Sequence, residues 1–168
     1  MTTTTTNSFH PAEGRPAPPA GARQLCTFSI DSLFLGVDVL DVQEVIRQHE
    51  MTRVPLAPAA VSGLINLRGQ IVTAIDLRNR LGLPPKVVNG PEDMPLNVVV
   101  RTADGAVSLL VDEISDVIEV GEDRLEPTPP TLSAAGAELI DGVYKLDGQL
   151  LLVLNTPAAV DVASLTSV

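Results

Sequence analysis

Gly63-Leu64-Ile65-Asn66-Leu67-Arg68-Gly69-Gln70-Ile71-Val72-Thr73-Ala74-Ile75-Asp76-Leu77-Arg78-Asn79-Arg80-Leu81-Gly82-Leu83 contains two apolar runs separated by Arg68-Gly69. A two-residue break ending in glycine between β-favouring runs predicts a tight β-hairpin with one cation on its turn. The hairpin then feeds Asp76 to Leu83, a short helical turn closed by Gly82 and stopped by Pro84-Pro85. Nothing in the segment forms a phosphate cradle, a metal site or a nucleophile, so it points to a binding surface rather than a catalytic one.

The same grammar extends in both directions. Leu25 to Ile30 pairs with Leu33 to Val39 across Asp31-Ser32, and Val39 to Arg47, dominated by β-branched residues, is expected to be a further strand. Met51 to Pro58 is a proline-punctuated connection, and Lys86 to Pro95 is a polar connector around Asn89-Gly90-Pro91. Leu96 to Thr102 and Ala106 to Glu113 flank Asp104-Gly105, while Val143 to Leu146 and Gln149 to Leu154 flank Asp147-Gly148. Both dipeptides suit hairpin turns. Between these hairpins, the mixed pattern of Ile114 to Val120 fits an edge strand or a strongly twisted one, and Pro127 to Leu132 is a proline-rich crossover. Thr156 as N-cap and Pro157 behind it predict a C-terminal helix over Ala158 to Leu165. The expectation is an all-β chain of two small Greek-key-like barrels sharing an apolar interface, with a short C-terminal helix.

Composition agrees. The 168 residues are 45% hydrophobic but only 2% aromatic, with no Trp and Tyr144 alone, so branched aliphatic side chains must fill the core. Residues 1–22, with five consecutive threonines followed by a Pro/Ala/Gly-rich stretch, are expected to form a disordered tail. The single cysteine, Cys26, lies in an apolar run and reads as a buried thiol in a reducing compartment. No signal peptide and no membrane-length apolar run is evident, so a soluble cytoplasmic location and no direct membrane insertion are expected.

The net charge is −10, which disfavours nucleic acid as a partner. Its distribution is uneven: between Arg47 and Lys86 six of the eleven basic residues face only Glu50 and Asp76. A cationic region on an acidic protein suits docking to an acidic partner, although solvated surface arginines are the plainer reading for most of the six. Chemistry is absent at every position tried. His49 lacks companions at ligand spacing, no Gly-x-Ser-x-Gly turn presents a nucleophile, and no Gly-rich loop opens a helix. The carboxylates Asp112, Glu113, Asp116, Glu119, Glu122, Asp123 and Glu126 lack the order of a calcium loop and read as a solvated acidic face. No catalytic residue, cofactor or metal is expected, and the scarcity of stacking aromatics removes a single-strand nucleic-acid binder.

Several elements at these separations resemble the CheW family of bacterial chemotaxis coupling proteins. They are Val42-Gln43-Glu44-Val45-Ile46-Arg47, Thr52-Arg53-Val54-Pro55, Val61-Ser62-Gly63-Leu64-Ile65-Asn66-Leu67-Arg68-Gly69, Ile75-Asp76-Leu77-Arg78, Leu110-Val111-Asp112-Glu113-Ile114-Ser115-Asp116-Val117 and Leu150-Leu151-Leu152-Val153-Leu154-Asn155. Thr73 departs from the pattern where the family often has proline. The resemblance implies two intertwined SH3-like barrels over residues 23–160, the first roughly 23–90 and the second roughly 91–154, with exchange of strands between them left open, followed by a helix and tail over 155–168. It implies a non-catalytic adaptor that holds the regulatory domain of the histidine kinase CheA beside the cytoplasmic tip of a chemoreceptor, with other CheW copies as further array partners. Its receptor-facing groove falls on Val42, Glu44, Gly63, Arg68, Gly69 and Val117, with turn geometry as the alternative role of the two glycines. The kinase-facing end is not assigned to residues. The alternatives are an adaptor of a chemosensory pathway other than chemotaxis and an enzyme built on a small barrel.

Overall fold

The computed structural model describes residues 21–47, 50–131 and 134–161. The expected tail over 1–22 therefore lies almost wholly outside the described residues, as do His49 and the end of the expected C-terminal helix. Ten strands are present: β1 Ala22–Ile30, β2 Leu33–Asp38, β3 Val42–Ile46, β4 Val61–Leu67, β5 Gln70–Asp76, β6 Leu96–Thr102, β7 Gly105–Val111, β8 Glu113–Gly121, β9 Ile140–Leu146 and β10 Gln149–Leu154. Three short helices accompany them, α1 Leu77–Arg80, α2 Ala134–Glu138 and α3 Thr156–Val160.

The strands form two five-stranded sheets. Sheet I runs β8-β1-β2-β10-β9 and sheet II runs β3-β6-β7-β5-β4. Adding five to every strand number of one order, and counting past ten from one again, gives the other, so the chain is an internal repeat: β1 to β5 with α1, then β6 to β10 with α3. Each half contributes a hairpin to one sheet and three strands to the other. The pairings β1–β8 and β2–β10, and β6–β3 and β7–β5, all cross between halves. A boundary near residue 90 therefore divides the chain but neither sheet.

Packing follows the repeat. Leu25, Val120, Tyr144, Leu151 and Val153 fill the interior of sheet I, and Ile65, Leu67, Val72 and Val99 fill that of sheet II. The largest cluster, including Phe28, Leu35, Val37, Val42, Ile75, Val98, Leu109 and Leu152, draws on both sheets and joins them. Alternation along β1, β6 and β10 sends one set of side chains to its own barrel and the other to the shared core. Aliphatic side chains suffice because each interior is small.

Three local expectations are corrected. The strand expected over Val39 to Arg47 begins only at Val42: Val39–Asp41 is a 3-10 turn whose cap is Asp38, accepting from the Leu40 amide at 2.9 Å. The last helix is capped by Asn155, not Thr156; the Asn155 carboxamide accepts from the Ala158 amide at 3.0 Å, and Thr156 is already helical and buried. The β6–β7 turn sits at Ala103-Asp104, with Gly105 opening β7 at φ +119°.

Candidate functional site

The β4–β5 turn is where this fold departs from generic turn chemistry. Arg68 at φ +52° and Gly69 at φ +87° both occupy the left-handed region, as a two-residue type I′ hairpin requires. An added Cβ at Gly69 would meet no atom within 4 Å, so glycine is there for conformation alone. Arginine is an uncommon choice for the first position. The Asn66 carboxamide helps to close the turn by accepting from the Gly69 amide at 2.9 Å.

Arg68 is fixed by a partner 24 residues away. Its two terminal nitrogens donate to the two Glu44 oxygens at 2.5 and 2.7 Å, a bidentate pair. Glu44 lies on β3 beyond a register shift between Val42 and Glu44, and its side chain is 6% exposed, whereas that of Arg68 is 72% exposed. A buried carboxylate is thus neutralised by a cation standing in solvent. The hydrogen bonds and the charge of Glu44 hold the Arg68 guanidinium above its ordinary pKa. Because β3 and β4 are opposite edges of sheet II, the pair closes that barrel across its seam.

Gly63, on β4, is buried. A Cβ there would stand 2.5 Å from the Thr52 carbonyl oxygen and 2.6 Å from the Met51 Cγ. Glycine lets the segment after β3 cross β4 and form the bridge between Thr52 and Leu64. Val42 has no exposed surface and belongs to the shared core. Val117 lies in the other sheet, on β8, half-buried against the same core. Of the six sequence-derived residues, Glu44, Arg68 and Gly69 meet at one surface and Gly63 seats the segment that crosses β4, while Val42 and Val117, on different sheets, both pack in the shared core. Ile71, opposite Asn66 on the same hairpin, is 61% exposed, although its apolar neighbours make it read as core.

Among the described residues no group of three or more His, Cys, Asp or Glu side chains is placed to hold a metal, and no helix is long and apolar enough to cross a membrane. What the geometry offers is a rigid, charged hairpin on a barrel edge.

The CheW-like domain profile matches residues 24–164. This chain belongs to the CheW family. It is 32% identical over 132 residues to the chemotaxis protein CheW of Thermotoga maritima, covering 79% of this chain and 83% of that protein. It is 31% identical over 133 residues to the chemotaxis protein CheW of Treponema pallidum, covering 79% and 78%. Among solved structures, the scaffolding protein TtCheW of Thermoanaerobacter tengcongensis superposes with a TM-score of 0.70 at 28% identity, covering 79% of this chain and 88% of that one. The all-β pair of SH3-like barrels and the role of a non-catalytic chemotaxis scaffold follow from this membership.

Proposed function

We propose that this CheW-family chain couples chemoreceptors to the histidine kinase CheA, working at membrane-associated receptor arrays with its surface around Arg68 facing the receptor tip. The observation that carries this reading is the exposed guanidinium of Arg68, locked onto the buried Glu44 carboxylate at the apex of a rigid turn. A turn requires no arginine, and a solvent-facing cation whose rotamer is already fixed loses little entropy when a partner docks. Receptor tips are helical bundles, and a helix laid against the β4–β5 hairpin would meet Ile71 as an apolar contact and Arg68 as a register-setting charge. Gly69 keeps the apex low.

The test is co-sedimentation of the purified chain with receptor-containing membranes and CheA, with kinase autophosphorylation read from the same sample. Coupling predicts that chain and kinase sediment together and that kinase activity changes. Binding to the kinase without receptor dependence would replace the coupler reading with a kinase-only partner.

A further inference from the structure

The internal repeat exposes an asymmetry between the two barrels. In sheet II the edges β3 and β4 are joined twice, by the Thr52–Leu64 bridge and by the Glu44–Arg68 pair. In sheet I the corresponding edges are β8 and β9, joined by the Glu126–Val143 bridge. The match is close: Gly142, like Gly63, lies against the crossing segment, with the Glu126 carbonyl oxygen 2.6 Å from where a Cβ would be. Yet by strand register the positions equivalent to Glu44 and Arg68 are Asp116 and Asp147, two carboxylates that cannot pair. The second seam is unbolted.

A cavity of about 560 Å³ opens at that seam, lined by Glu119, Val120, Leu125, Glu126, Tyr144 and Lys145 among others. Tyr144 is 2% exposed, and its hydroxyl is the one buried side-chain polar atom among the described residues without a hydrogen-bond partner. The Glu126–Val143 bridge is isolated, so the ladder is not continued to Lys145. In an antiparallel hairpin closed at Leu146 and Gln149, alternate residues turn their peptide groups outward, and Lys145 turns outward with Val143. In the lining Glu119, Asp123 and Glu126 outnumber Arg124 and Lys145, Lys145 already holding Glu126 at 3.3 Å, and Glu113, Asp116 and Glu122 extend the acidic flank along the chain.

We propose that this seam receives an extended basic segment of a partner protein, which adds as a strand to the outer edge of β9. Main-chain bonds to Lys145 supply affinity, an inward side chain fills the cavity, and a polar group of the segment satisfies the Tyr144 hydroxyl. The carboxylates of β8 and the turn after it select positive charge. The surface is distinct from the Arg68 hairpin, which belongs to the opposite sheet.

The test uses the full chain and a labelled synthetic peptide alternating arginine and valine, followed by fluorescence anisotropy, with a glutamate–valine peptide as control. The basic peptide is expected to bind and the acidic one not. Lys145→Pro removes the outward N–H while leaving the β9–β10 ladder intact and is expected to weaken binding about tenfold or more, whereas Lys145→Ala, which keeps the N–H, retains it. Tyr144→Phe is expected to weaken binding without lowering Tm, because it removes an unsatisfied group. The single change Asp147→Arg, which sets a cation opposite Asp116 as Arg68 stands opposite Glu44, is expected to close the site. Equal binding of both peptides, or indifference to Lys145→Pro in a folded variant, would overturn the proposal. So would a concentration-dependent dimer lost in Lys145→Pro, which would make the occupant a second copy of the chain.

Discussion

A carboxylate that is 6% exposed and a guanidinium that is 72% exposed make an unequal pair, and the inequality decides what each substitution does. From the sequence alone Arg68→Glu would be expected to spare the fold. The structure adds a cost to that expectation, because the new carboxylate would face Glu44 with no cation between them. Arg68→Glu is therefore expected to lower Tm as well as receptor coupling, and Arg68→Ala to do both less, as thermal denaturation and co-sedimentation would record. The exchanged pair Glu44→Arg with Arg68→Glu separates the effects: stability should return while coupling stays lost, and recovery of coupling would show that only the barrel closure matters. Asp41 gives a pH-dependent counterpart. Burial and the nearby Asp38 charge raise its pKa despite Arg23 and Arg101. A carboxyl that holds its proton more tightly when folded adds stability as pH falls through the carboxylate range and withdraws it as pH rises. At neutral pH Asp41→Asn should raise stability by about 0.5 kcal/mol or less, with the gain fading in acid; a Tm lower than the parent's at pH 7 would contradict this.

At the scale of elements, the two glycines that face a crossing segment carry more than the glycine of the turn. Gly63→Ala and Gly142→Ala each drive a Cβ onto a backbone carbonyl and should cost about 3 kcal/mol in denaturant titration. Gly69→Ala meets no atom and should cost about 1 kcal/mol through its positive φ alone. Equal losses at all three would refute the close approach. The hairpins were legible in the sequence because alternation and two-residue turns are local signals, whereas the mixed pattern of β8 left an edge and a strongly twisted strand open until the sheet order put it at an edge. Arg68 stands out in the sequence because its turn has no local use for a cation. What escaped were facts set by distant neighbours. Nothing near Val42 shows that the other sheet covers it, and nothing near Arg68 names Glu44 as its partner. The repeat itself was available: Gly-x-x-x-Leu-x-Gly-Gln occurs at Gly63 to Gln70 and again at Gly142 to Gln149, and in both copies the next residue, Ile71 or Leu150, is exposed. Its spacing is wide enough that a hairpin-by-hairpin reading passes over it.

At the scale of the molecule, the halves are interlocked rather than adjacent. Every sheet contains strands from both, and the joints between them are specific. Arg78 of α1 is buried and holds Asp31 at 2.8 Å and Asp112 at 2.5 Å, tying the first-half helix to the β1–β2 turn and to the residue between β7 and β8. Burial alone would lower the Arg78 pKa, but hydrogen bonds and charge from Asp31 and Asp112 outweigh it and keep the group above its ordinary value. Arg80 of the same helix donates to the Ala159 carbonyl at 3.2 Å and also to that of Ala158, satisfying the end of α3, its repeat counterpart. Arg78→Met should cost about 3 kcal/mol, since it strands Asp112 in a partly buried site. The interlocking has a stronger consequence. A fragment of residues 21–90 retains β3, β4 and β5 but loses β6 and β7, against which two of them pair, and its β1–β2 hairpin loses β8 and β10. An isolated hairpin is marginal in water, and neither fragment keeps the shared core. Residues 21–90 and 91–161, expressed separately, should each show an unfolded circular dichroism spectrum, and mixing them should restore strand signal as a one-to-one complex. A fragment that melts cooperatively by itself would show that one barrel can close without strands from the other half.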